Sequence, residues 1–141
     1  MTQAAKITVN ASIQAPLTTV WNAWNNPEDI IRWNAADPSW HCPSSENDLK
    51  VGGCFKNRME AKDGSIGFDF SGTYDCVIPH QEIAYTMDDG RKASTLFREE
   101  NGKTIVSTTF DAENVNDIEM QQQGWQAILN NFVRHVEKKE L

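Results

Sequence analysis

The side chains able to ligate a metal or act as soft nucleophiles are few: His41, Cys42, Cys54, Cys76, His80 and His135. Only His41 and Cys42 are close in sequence, and an adjacent pair lacks the spacing of a ligand set. No metal site is expected. Cys54 and Cys76 read as small strand residues, and His135 as a surface residue near the end of a helix. The chain has no phosphate-cradling glycine loop, dinucleotide fingerprint, nucleophile elbow or His-Glu-x-x-His helix. No cofactor is therefore expected, and catalytic residues stay unassigned. A cyclase or hydrolase would have to draw on Asp37, His41, Tyr74 or Arg58, with two titratable groups in hydrogen-bond reach inside one pocket.

The elements that must position these residues follow from periodicity. Residues 6–13 alternate strictly, which predicts a strand with Ile7, Val9, Ala11 and Ile13 on its buried face. Pro16 opens a helix carrying Leu17, Val20, Trp21 and Trp24, and Pro27-Glu28-Asp29 opens a second that ends near Trp33. Residues 34–46 read as loop, punctuated by Pro38, Pro43 and several serines, with a short strand allowed near 47–49. Strands are expected at 54–61, 66–78, 82–87, 93–98 and 103–110, joined by turn-rich segments that include Lys62-Asp63-Gly64-Ser65 and Asn101-Gly102. A long amphipathic helix over 116–139 places Ile118, Trp125, Ile128, Leu129, Phe132 and Val136 on one stripe. At 1.5 Å per residue some 20 residues reach roughly 30 Å, enough to cross a small domain. The expected fold is one α+β domain over 1–141: a curved antiparallel sheet of about six strands gripped by the C-terminal helix, with two short helices after the first strand.

Such a helix need not fill the space beneath it. Gly72 stands among large inward residues and predicts a bend or a close backbone approach. Met120, Gly124 and Ala127 form a slim or flexible stripe that leaves room for a ligand or for the N-terminal helices; tight helix packing at Gly124 is the alternative. Trp33, Phe55, Phe68, Phe70, Tyr74, Phe110 and Trp125 converge on this space with Met59 and Ile128, most of them serving as core. Asp37, Trp40 and His41 are candidates for its entrance, against the plainer reading that Trp40 plugs one end of the core and His41 is solvated. Arg58 and Asp69 fall opposite one another on a hairpin and point outward, as a surface ion pair contributing about 0–1 kcal/mol.

Composition narrows the partners. A hydrophobic fraction of 39% and a charged fraction of 23% are those of a globular protein. Thirteen basic residues against 20 acidic ones give a net charge of −7, a field that repels phosphate backbones and anionic lipid. No nucleic-acid partner is expected. No stretch approaches the roughly 18 apolar residues of a membrane span. The N-terminus passes straight into the first strand without an apolar signal segment, and three scattered cysteines form no disulfide framework. A cytoplasmic location is the expectation.

The ordered set of segments resembles a known family. Pro-x-x-x-Val-Trp-x-Ala-Trp-x-x-Pro-Glu over 16–28, with Trp33 after it, is similar to the start of proteins related to the activator of the heat-shock-protein-90 ATPase. Asp48-Leu49-Lys50-Val51-Gly52-Gly53-Cys54-Phe55 resembles the glycine pair that enters a strand in that family. Phe70-x-Gly72-x-Tyr74, Pro79, Tyr85-Thr86 and Gly124-Trp125-x-x-Ile128-Leu129-x-x-Phe132 continue the match across the chain. The resemblance implies the helix-grip fold of START-like domains, pollen-allergen relatives and polyketide cyclases, which enclose a cavity that takes hydrophobic small molecules.

It does not carry one activity with it. A binding module for a small hydrophobic or aromatic molecule is the first reading and a cavity enzyme the second. The third is a stress- or chaperone-associated interaction protein. Chaperone contact is not favoured, because the eukaryotic members grip their client through a partner domain for which 141 residues leave no room. A homodimer is left open.

Overall fold

The structure, a computed structural model, describes residues 5–139. Strand β1 (Lys6–Ile13) leads through helices α1 (Leu17–Asn25) and α2 (Pro27–Trp33) to strand β2 (Trp40–Asn47). Strands β3 (Cys54–Ala61), β4 (Gly67–Ile78), β5 (Glu82–Met87), β6 (Lys92–Glu100) and β7 (Lys103–Asp111) follow as a meander, and helix α3 (Ile118–Lys139) comes last. The strands form one antiparallel sheet in the order β1-β7-β6-β5-β4-β3-β2, curled around α3. This is the α+β helix-grip architecture. No helix among the described residues is long and apolar enough to cross a membrane.

Local chemistry sets the element ends. The Asn26 side chain accepts from the Glu28 N–H at 3.0 Å, Pro27 takes the first helical position, and Glu28 and Asp29 meet the positive end of α2. Between β6 and β7, Asn101 and Gly102 have φ of 53° and 80°, the pair of left-handed residues a two-residue hairpin requires. Gly72 is the close approach predicted for it. A Cβ there would lie 2.6 Å from the Thr86 carbonyl oxygen and 3.0 Å from the Phe55 ring.

Three expectations are corrected. Residues 40–47 form an edge strand, not a loop, so the sheet has seven strands rather than six. Pro43 is tolerated there because the edge needs no N–H on its open side, and the register shifts between His41 and Ser44 to absorb it. A second irregularity, between Tyr74 and Cys76, reverses the faces of β4 beyond it. Val77 then packs on the core where unbroken alternation from Phe70, Gly72 and Tyr74 would place Cys76. Third, His135 is no surface residue: its Nε2 lies 2.8 Å from Asp29 Oδ1, both side chains are largely buried, and the pair joins α3 to α2.

The core is densest around the C-terminal half of α3. Phe132 and Val136 are fully buried, and Leu129 is almost as enclosed. Trp24 and Trp33 stack at 5.1 Å, and each presents its face or edge to Phe132 at 4.9 Å. The Trp33 indole N–H donates to the Ala23 carbonyl at 3.0 Å, so this buried aromatic group carries no unpaired donor. A second cluster, containing Ile7, Met87, Ala93 and Phe110, lies under the other end of the helix, where Trp125 stacks on Phe110 at 3.8 Å.

The Gly72 approach can be tested directly. Gly72→Ala is expected to lose about 1–3 kcal/mol, because the Thr86 backbone cannot retreat without disturbing the β4–β5 pairing. Thermal unfolding followed by circular dichroism measures it; an unchanged midpoint would show that the two strands yield freely.

Candidate functional site

α3 packs along β1, where the Gln126 amide donates to the Asn10 carbonyl at 3.0 Å, but it stands away from β3, β4 and β5 across the sheet. The space beneath is a cavity of about 470 Å³ that opens to solvent. Trp125, Ile128 and Leu129 of α3 form its roof, Trp24, Ile30 and Trp33 its end wall, and Phe55, Met59, Phe70, Tyr74, Ile83 and Tyr85 its floor. The floor rings brace one another: Phe55 lies 4.8 Å from Tyr85 and 5.4 Å from Tyr74, and Phe70 is edge-on to Trp125 at 6.2 Å. Aromatic packing of this kind holds a preformed wall, because moving one ring displaces its neighbours.

Polar groups enter the apolar wall in defined places. Tyr74 donates from its hydroxyl to Asn47 Oδ1 at 2.5 Å, and Asn47 donates in turn to the Asn25 carbonyl at 2.8 Å. Ser45 donates to Asn57 Oδ1 at 2.6 Å, and the Thr95 and Thr108 hydroxyls share a hydrogen bond at 2.8 Å. At the far end Gln121 accepts from the Glu113 N–H at 2.9 Å and donates to the carbonyls of Glu113 and Asn116, fixing the segment that precedes α3. Burial pushes the Tyr74 phenol well above its ordinary range, against the lowering effect of its bond to Asn47, so it stays protonated.

Eight of the residues singled out from the sequence meet here: Trp33, Phe55, Met59, Phe68, Phe70, Tyr74, Trp125 and Ile128 line the cavity. Phe68 is still 49% exposed, at the margin, packed on Trp40 at 6.0 Å. The remaining six lie elsewhere. Phe110 sits behind Trp125 and positions it. Met120 faces outward, 57% exposed, and Gly124 has open space around its Cα, with no neighbour within 4 Å of a built Cβ. Tight packing is therefore not the reason for that glycine. Asp37 accepts from the amide and hydroxyl of Ser39, which hold its carboxyl below the usual range, and so closes a surface turn. Trp40 covers one end of the core, and His41 is half-buried at the edge strand, 3.9 Å from Glu60. Arg58 pairs with Asp69 across the hairpin at 3.4 Å on the outer face, as alternation predicts.

The groups a cavity enzyme would have used are thus dispersed: of Asp37, His41, Arg58 and Tyr74, only Tyr74 borders the cavity. No cluster of three or more histidine, cysteine or acidic side chains among the described residues has the geometry of a metal site. Sequence reasoning missed Asn57, Tyr85, Arg91 and Gln121, all of which line the cavity. Asn57 was visible as the polar residue between inward Phe55 and Met59, and Tyr85 lies on the face of Ile83 and Met87. Gln121 carried no such signal.

Comparison with known proteins agrees with this fold. A family model described as Activator of Hsp90 ATPase homolog 1-like protein matches residues 14–137. The solution NMR structure of the AHSA1-like protein from Aeromonas hydrophila shares 48% identity, covering 96% of this chain and 94% of that one, with a TM-score of 0.90. A solution structure from Cytophaga hutchinsonii shares 46% identity over the same proportions, with a TM-score of 0.83. A crystal structure from Chromobacterium violaceum, 23% identical over 94% of this chain and 96% of that one, has a TM-score of 0.83 and speaks for the fold alone. No curated protein matches the chain.

Open space at Gly124 gives a second test. Gly124→Ala is expected to raise stability by about 0.5–1 kcal/mol, the helix-propensity gain with no clash against it. A lowered melting temperature would mean that the glycine serves a packing role this geometry lacks.

Proposed function

The chain belongs to the family of Activator of Hsp90 ATPase homolog 1-like proteins, and we propose that it is a binding protein for a small, largely apolar ring compound held beneath α3. The observation that carries this reading is the cavity itself. Its 470 Å³ falls in the range of small-molecule sites, and its walls are mainly aromatic and aliphatic with a few placed polar groups. A core of this size filled for stability alone would close such a space, since each void forfeits packing energy.

Shape favours rings over extended chains. The floor and roof present Phe55, Phe70, Tyr85 and Trp125 to the same space, and flat faces gain most from offset or edge-on contact with another ring. Binding or carriage, rather than turnover, fits the dispersal of the titratable candidates. The three free cysteines suit a reducing compartment, and we take the cytoplasm as the place of action.

A neutral fluorescent probe, N-phenyl-1-naphthylamine, tests the reading. Saturable one-to-one binding to the wild-type protein is expected. Ile128→Trp, which extends a roof residue into the cavity, should weaken it by at least about tenfold, or about 1.4 kcal/mol, without lowering the melting temperature by more than a few degrees. Absent or unsaturable binding, or full binding by the folded variant, would contradict a ligand site under the helix.

A further inference from the structure

Five neighbouring strands each send one hydrogen-bonding side chain to the cavity: Asn57, Tyr74, Tyr85, Thr95 and Thr108, from β3 to β7 in turn. A polar group turned away from water costs free energy unless it is paired, so a row of them across an otherwise apolar floor needs a reason. Four have partners in the protein: Asn57 with Ser45, Tyr74 with Asn47, and the two threonines with each other. Tyr85 differs. Among the described residues nothing hydrogen-bonds its hydroxyl.

The direction of that hydroxyl is fixed. Tyr85 stands opposite Tyr74 and Ala93, both buried on the concave side, so its side chain points inward with theirs. Its ring is held edge-on by Phe55 at 4.8 Å and by Phe70 and Tyr74 at 6.4 Å. No sealed side-chain polar atom among the described residues lacks a partner, so the Tyr85 oxygen is not sealed but reaches the cavity space. Burial keeps the phenol protonated far above neutral pH, so it faces the cavity as a donor.

The charges nearby select among acceptors. The charged lining residues are Arg91 and Glu113. Arg91 is engaged by Asp89 at 2.7 Å, and Glu113 accepts from the Asn116 N–H at 2.6 Å. One charge of each sign, each already engaged, gives no net complement to an ionised ligand, and the net charge of −7 opposes an anion. Resting on the binding-protein reading above, we infer that the ligand is an uncharged ring compound bearing a carbonyl-type oxygen, and that Tyr85 selects it by donating a hydrogen bond to that oxygen.

Two probes of nearly equal shape separate this inference from the reading it rests on: 2-acetylnaphthalene, which carries the acceptor, and 2-isopropylnaphthalene, which does not. Titration calorimetry compares each on the wild type, Tyr85→Phe and Tyr74→Phe. Tyr85→Phe should weaken the ketone about 3- to 10-fold, the worth of one neutral hydrogen bond, and change the hydrocarbon by less than twofold. Its melting temperature should not fall, because no protein hydrogen bond is lost. Tyr74→Phe should lower the melting temperature, by releasing Asn47, without a ketone-specific loss. Equal effects of Tyr85→Phe on both probes, or no effect on either, would overturn the inference and leave the cavity reading standing. Failure of both probes on the wild type would overturn both.

Discussion

The burial of Phe132 against the stacked pair Trp24 and Trp33 is the contact on which the rest depends. It locks the C-terminal half of α3 to α1 and α2, reinforced one turn further along by the His135–Asp29 pair. Seven residues earlier, about two helical turns or ~10 Å away, Trp125 rests on Phe110 of β7. The helix is thus supported at two aromatic piers. Between them β1 stays against the helix while β3, β4 and β5 fall away from it, and Ile128 roofs the gap without filling it. The cavity follows from where the large rings are placed.

The same arrangement explains how a void survives in a protein of marginal stability. Closing it would require α3 to drop toward β4 and β5, which would pull Phe132 off the Trp24–Trp33 pair or Trp125 off Phe110. Either loss is comparable to deleting a buried aromatic contact, about 3–5 kcal/mol for a whole side chain. On the opposite side, Gly72 leaves room for the Phe55 ring of the floor, which a Cβ at that position would approach to 3.0 Å. Openness is built in from both sides.

Much of this was legible in the sequence, for a reason visible in particular residues. Period-two alternation at Ile7, Val9 and Ile13 and the helical stripe from Trp125 to Val136 report burial directly, so the sheet, the long helix and most of the aromatic wall could be read from them. What escaped depended on contacts distant in sequence. β2 carries Pro43, Ser44 and Ser45, and is a strand only because β3 lies beside it. The irregularity after Tyr74 exchanges Cys76 for Val77, and no local preference announces it. The roll of α3 decides that Gln121, not Met120, turns inward, although the two differ by about 100° on the helix. Asp37, Trp40 and His41 drew attention as an aromatic-rich loop, but the strand they join turns them to the outside and to the end of the core.

The central claim, that the protein holds an open apolar space beneath α3, is tested most directly by crystals pressurised with xenon. Xenon settles against apolar cavity walls and reports them by its scattering. The account predicts xenon density between Trp125, Ile128, Phe55 and Tyr85, with the surrounding side chains unmoved. No xenon there, with Trp125 and Tyr85 closed onto each other across the gap, would contradict it.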